Sequence, residues 1–310
     1  MKFIRHLLIL FIISSFINAK SIENKILLKI DNEIITSIDV FKETNYLMAI
    51  NSKINEMEKG DLYNISINSL IREKIKKIEI QKNTSNNKFD FDEIYLNELI
   101  SNTYKKMGFK NLEDFNKHLK EHGVKIEDIK NKISIESLWN ELIYKKFSKK
   151  VIIDKTKLKK KVIEDNDKEI SSYLISEIVF KISDNKDLSQ TFELIKKDIN
   201  EKGFYNAALL HSISDSAING GDLGWIIDRS LNSKIKSKIK ELEISNYTDP
   251  ITIPGGFLIL KLNNVKKDKI KYDINLKLNE LIRLSTNQQL NQLSNIYFDK
   301  VKKEIKIEKL

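Results

Sequence analysis

The chain has 310 residues, of which 41% are hydrophobic and 32% charged, with nine glycines, two prolines and no cysteine. This length is a prior for two domains, and the balance suits a soluble globular fold, not a collagen-like or Pro/Gly-rich disordered one. The net charge of +10 is spread over 54 basic and 44 acidic residues. The lysines alternate with acids instead of forming one basic block. Only Arg5, Arg72, Arg229 and Arg283 carry the guanidinium fork that reads phosphates and bases bidentately, so no nucleic-acid partner is expected.

The missing cysteine excludes disulfide and thiol chemistry. Histidine is scarce: His6, His118, His122 and His211. None forms a cluster with metal-ligand spacing, so neither a metal nor another cofactor is expected. His118 and His122 stand four apart without the HExxH glutamate and read as solvated helix residues.

In chain order, "MKFIRH" is basic, "LLILFIISSFI" is apolar, and "NAKS" offers Ala19 for cleavage. This is the layout of a secretory signal peptide over 1–19. The apolar run is short of the roughly 20 residues of a membrane span, so no stable membrane insertion is expected. An uncleaved anchor is the alternative, because Ile17 is not the small residue preferred at that position.

"KILLKIDNEIITSIDV" (25–40) reads as a hairpin turning at "DNE", with Thr36 or Ser37 capping a helix from about Ile38. Ile67, Leu70, Ile71, Ile75 and Ile78 keep helical spacing, and "NTSNNK" ends that helix. Further helices are expected over 90–107, from Asn111 to Gly123, and over 125–148, making 38–165 a run of helices.

Near Ser171 the pattern changes. "YLISEIVFKI" reads as a buried strand, and "DLSQTFELIKKDINEKG" as a capped helix closed by Gly203. "FYNAALLHS" is a shorter helix, followed by "HSISDSAINGGDLGWI". "SLNSKIKSKIKEL" is a helix, and "DPITIPGGFLILKLNNVKK" two strands about Pro254-Gly255-Gly256. This β-α-α-α-β-β order suits one α+β domain. A long helix with Leu290, Leu293, Tyr297 and Val301 on one face follows, then "EIKIEKL", which alternates with period two. That terminal strand needs a partner, and the N-terminal hairpin is the candidate, joining the chain ends around an inserted domain.

"HSISDSAINGGDLGW", with "SEIVFKI" before it and "PGGFLILKL" after it, resembles the signature of parvulin-type peptidyl-prolyl isomerases. The flanking hairpin, helices and terminal strand resemble the periplasmic chaperones of the SurA type. The resemblance covers about 22–310, with one parvulin segment. It implies a mostly helical core formed by 20–167 and 269–310, with a parvulin-like domain at 168–268 inserted. It further implies a periplasmic holdase for unfolded or extended polypeptides, chiefly outer-membrane β-barrel precursors. The alternative is an active prolyl isomerase assisting the folding of exported proteins.

In active parvulins two histidines and a Cys or Asp sit above a small apolar proline pocket. On this chain the resemblance places the first histidine at Glu177, the last at Leu258, and the Cys or Asp at Ser214, with Asp215 one position later. Leu258 cannot hydrogen-bond, and Glu177 brings an acceptor. These four positions read as vestigial. Trp225, Leu231, Ile235 and Phe257 are the expected pocket residues. Gly220, Gly221, Asp222 and Gly224 are expected to be structural: the glycines permit a tight helix-to-helix crossing, and Asp222 bonds nearby amides. His211 is read as structural.

Overall fold

A computed structural model describes residues 23–84, 93–166, 168–182, 187–270 and 273–310. The expected signal peptide, 1–19, lies outside these residues.

The chain opens with β1 (Ile26–Ile30) and β2 (Glu33–Thr36), an antiparallel hairpin. Thr36 then caps α1 (Ser37–Ile50). Its Oγ1 accepts from the Asp39 amide, and the Asp39 carboxylate accepts from the Thr36 amide. This reciprocal box satisfies two otherwise unpaired helix-end groups. The run continues with α2 (Lys59–Asn83), α3 (Glu93–Lys106), α4 (Leu112–Glu121), α5 (Ile126–Phe147) and α6 (Lys155–Asp165).

The other end of the chain supplies α9 (Ile274–Glu304) and β7 (Ile307–Lys309). β7 pairs antiparallel with β1, giving the order β2-β1-β7. The terminal strand thus finds the expected partner, and both ends build one core. Leu28, Ile30, Ile35, Val40, Ile75 and Trp139 pack there with Phe298, Val301 and Ile305. The Trp139 indole donates to Ser294 Oγ at 2.8 Å and stacks on Tyr297 at 5.8 Å. The α5–α9 contact therefore combines burial with a satisfied polar group.

Polar packing also crosses this core. The Lys132 ammonium lies 2.6 Å from Glu43, pairs with Glu73, and sits over the Tyr46 ring. Burial works against that charge, but the two carboxylates outweigh it and hold the lysine above its usual range. His118 and His122 are half-buried, not solvated: His118 Nε2 is 2.7 Å from Ala49 O, and its ring meets Phe109 at 5.0 Å.

Between α6 and α9 lies a second sheet with β3 (Lys168–Phe180), β4 (Asp222–Ile227), β5 (Ile251–Ile253) and β6 (Gly256–Ile270), in the order β4-β3-β6-β5. One face carries α7 (Leu188–His211) over Ile178, Phe180 and Ile259. The other carries α8 (Ser233–Lys240) over Tyr173, Ile175, Leu258 and Leu260. α7 breaks at Gly203, whose φ is 81° and ψ 158°, so it consists of the two expected helices meeting at that glycine. The His211 ring bridges that kink, with Nε2 2.6 Å from Asp198 Oδ2. β6 runs two residues past the expected boundary at 268.

One element differs in kind. "DLGWII" is strand β4 and not part of a helix-to-helix crossing, so the sheet has four strands, and the order is β-α-α-β-α-β-β with the first two helices meeting at Gly203.

Candidate functional site

Glu177, Ser214 and Ser216 converge where the chain leaving α7 runs beside β3. The Ile213 amide donates to Val179 O at 2.7 Å, and the Glu177 amide donates to Gly221 O at 2.8 Å. These two bonds clamp 213–221 against the strand. The residues between form a 3-10 turn, Asp215–Asn219.

The clamp explains two glycines. A Cβ on Gly221 would lie 2.0 Å from Glu177 O, and one on Gly220 would lie 1.9 Å from the Tyr205 ring. Both have positive φ, 79° and 65°. Neither position accepts a side chain without displacing the strand or the ring. Asp222 Oδ1 accepts from the Gly224 amide at 2.9 Å and starts β4.

Ser214 Oγ donates to Glu177 Oε1 at 2.6 Å, and Ser216 Oγ donates to the same oxygen at 2.9 Å. Burial pushes the Glu177 carboxyl up from its usual value, and Asp215 adds to the effect. The two hydroxyls oppose it without cancelling it. The group is thus a carboxyl that protonates more readily than an exposed one. Ser216, which the sequence did not single out, completes this cluster. Its signal was available: it stands two residues after Ser214 in a short turn.

Asp215 does not join. It points to the helical core, 3.5 Å from the Arg72 guanidinium. Leu258 lies on the same sheet face as Glu177, since Val179 pairs with Leu258 and Glu177 with Leu260. It is 5% exposed and packs with Ile251, Ile239 and Leu260. Leu231 and Ile235 pack against that cluster.

Trp225 and Phe257 do not. Side chains alternate along a strand, and Ile226 is the β4 residue that packs with the Leu258 cluster. Trp225 therefore faces the other way, 43% exposed, with the Lys266 ammonium 4.9 Å from its ring. Phe257 meets the Phe180 ring in a tilted contact, centroids 5.7 Å apart, beneath α7. Of the four expected pocket residues, the structure brings Leu231 and Ile235 together and places Trp225 and Phe257 on the opposite face. No group of three or more His, Cys, Asp or Glu poised to hold a metal occurs among the described residues.

The turn is also gripped from the helical core. Asn51 Nδ2 donates to Ile218 O at 2.7 Å, and Tyr205 Oη donates to Asn51 Oδ1 at 2.7 Å. Lys53 lies over the Tyr205 ring, and Lys202 bridges to Asp61 at 2.8 Å.

Residues 176–264 match the Rotamase family, described as the PPIC-type PPIASE domain. Among curated proteins, the chaperone SurA of Pseudomonas aeruginosa is 24% identical over 176 residues, covering 54% of this chain and 42% of that protein. The periplasmic chaperone PpiD of Haemophilus influenzae is 25% identical over 105 residues, covering 34% of this chain and 16% of that protein. The matched stretches thus take in less than half of those relatives' lengths. Among solved structures, a PpiC-type isomerase domain is 27% identical, with 31% of this chain and 93% of that one covered at a TM-score of 0.28. A structure described with SurA-like chaperones of Campylobacter jejuni is 18% identical, with 93% and 99% covered at a TM-score of 0.37. Residues 176–264 thus match the PPIC-type PPIASE domain, within a chain that is similar over about half of its length to SurA chaperones.

Proposed function

We propose that this protein is a periplasmic holdase for unfolded or extended polypeptides, outer-membrane β-barrel precursors foremost, and that its PPIC-type domain has lost isomerase chemistry. The division at 168–268 and an exported location belong to the same reading. Relatives named as chaperones support it. No described helix is long and apolar enough to cross a membrane.

The observation that carries it is the make-up of the pocket. Twisting an X–Pro bond means crossing a barrier of about 18–20 kcal/mol. Lowering it requires polar groups aimed at the amide over an apolar seat. Here Leu258 closes one side with hydrocarbon, Asp215 turns to Arg72, and Glu177 Oε1 already accepts two serine hydroxyls. The histidines of the described residues all lie elsewhere: His211 on Asp198, His118 and His122 against each other in α4 and its end. For client binding, the first half of α9 is open. Its residues 274–289 include none that is buried, and Leu276 and Leu284 are 72% and 45% exposed.

A second reading, an active isomerase, draws on one observation. A half-buried, readily protonated Glu177, on the sheet face against which Leu231 and Ile235 pack, is a hydrogen-bond donor of a different kind. Two assays on the full chain separate them. Proline-peptide isomerisation is expected at the uncatalysed rate, and aggregation of an unfolded β-barrel protein is expected to be suppressed at stoichiometric ratios. Catalysis that disappears in Glu177→Gln would establish the second reading, and undiminished aggregation would overturn the first.

A further inference from the structure

Residues 145–161, "KKFSKKVIIDKTKLKKK", hold nine lysines and one aspartate, a net +8 in a chain whose total is +10. The expected alternation of lysines with acids fails here. Asp154, the one acid, is used locally: its Oδ1 caps α6 by accepting from the Lys157 amide at 2.8 Å. Eight of the lysines are exposed; the ninth, Lys161, is half-buried and donates to Arg229 O at 3.2 Å. Lys145 pairs with Glu141, and Lys160 lies 3.9 Å from Glu164. Lys149, Lys155, Lys157 and Lys159 have no acidic partner within ion-pair distance among the described residues.

Apolar side chains stand among these charges. Ile152 is 81% exposed, Tyr144 58% and Ile163 51%. Ile163 follows Lys159 and Lys160 by four and three residues, so the three share one surface of α6. Ile152 is held in place. Its amide donates to Gln289 Oε1 at 3.1 Å, and Gln289 Nε2 donates to its carbonyl at 2.9 Å. One side-chain amide from α9 thus fixes both main-chain groups of an isoleucine whose own side chain packs on almost nothing. A fixed backbone presenting an exposed apolar side chain within a lysine cluster is an anchor without a partner among the described residues.

We propose that this ridge docks on an anionic phospholipid surface, with the lysines at the headgroup phosphates and Ile152 entering the acyl boundary. Basic residues mixed with exposed apolar ones are the chemistry of peripheral membrane contact. Lysine is a hydrated point charge, suited to a diffuse sheet of phosphates more than to one oriented anion. An acidic extended polypeptide fits less well, because the ridge consists of the end of α5, a 3-10 turn and α6, with no strand edge to pair with.

The full chain is sedimented with vesicles of phosphatidylcholine alone and of phosphatidylcholine with phosphatidylglycerol, at low and high salt. Binding is expected to the anionic vesicles only, and to weaken as salt shortens the screening length. Lys149→Gln with Lys150→Gln is expected to weaken it about tenfold or more, at roughly fivefold per lysine. Ile152→Ser is expected to weaken it severalfold while leaving the salt dependence intact. All three positions are exposed, so circular dichroism of the variants should match the parent. Equal binding to neutral vesicles, absence of binding to anionic ones, or retention of an acidic unfolded polypeptide by these lysines without vesicle binding would each overturn the proposal.

Discussion

Glu177 concentrates the residue-scale physics of the PPIC-type domain. Its carboxyl is raised above the usual 4.5 chiefly by burial. A raised folded-state value means the fold prefers the proton more than the unfolded chain does. The associated stability is complete below about 4.5 and is lost as pH rises through the folded value. Glu177→Gln removes this titration and keeps an oxygen for Ser214 and Ser216. Thermal scans are expected to show the variant melting above the parent at pH 7.5 and level with it at pH 4; a variant less stable than the parent at pH 7.5 and level with it at pH 4 would mean the ionised group is favoured. Gly221→Ala tests the clamp. Its Cβ would fall on Glu177 O at a positive φ, so a loss of about 2 kcal/mol or more is expected in urea unfolding. Part of this site is written in the sequence. Glu177, Ser214 and Leu258 stand at positions where motif and strand order place them without coordinates. The direction of Asp215 is not, because Arg72, 143 residues earlier, decides it.

At the scale of elements, periodicity carries most of the fold. The helices over 38–165 and 274–304 have regular apolar stripes, and the caps at Thr36, Asn111 and Asp187 lie where local chemistry puts them. β4 is the exception, for a physical reason. It is six residues long, flanked and interrupted by glycines, and sits at a sheet edge with Asp222, Leu223 and Trp225 exposed. Such a strand has no alternating pattern to read, since its existence depends on pairing with β3. The register shift between Ile175 and Ser176 further sets which β4 side chains face which side, and so takes Trp225 out of the pocket. The terminal strand makes the opposite case. "EIKIEKL" alternates, and its two isoleucines differ: Ile305 is 6% exposed within the helical core, and Ile307 is 36% exposed. Ile305→Ala is expected to cost about 2–4 kcal/mol in urea unfolding, and Ile307→Ala under about 1 kcal/mol. Equal costs would mean the strand contributes only its backbone pairing.

At the scale of the whole molecule, the helical core and the PPIC-type domain meet at the turn that shapes the candidate site. Leu47, Ile54 and Ile65 of the core pack with Leu209 of α7, and Tyr205, Leu210 and Ile218 join them. Asn51 ties this apolar patch together by bonding both the Tyr205 hydroxyl and the Ile218 carbonyl. The Tyr205 ring in turn lies where a Cβ on Gly220 would be. Core, α7 and turn are therefore one packed joint, and Ser214 and Ser216 hang from the end that the core holds. Asn51→Ala combined with Tyr205→Phe removes both hydrogen bonds, along with the cap that Asn51 Oδ1 gives the Lys53 amide, and leaves the apolar patch in place. Each lost bond is worth about 1 kcal/mol, more where a buried partner is left unsatisfied. Because β3 and β6 do not depend on the joint, the expected effect is local. Hydrogen exchange over 213–221 should accelerate, while the β3–β6 ladder keeps its protection. The Glu177 carboxyl should also titrate nearer its usual value as the clamped turn opens to water. Unchanged exchange over 213–221 would show that β3 alone holds the turn, through the Glu177–Gly221 and Ile213–Val179 bonds. In that case the site would be independent of the core.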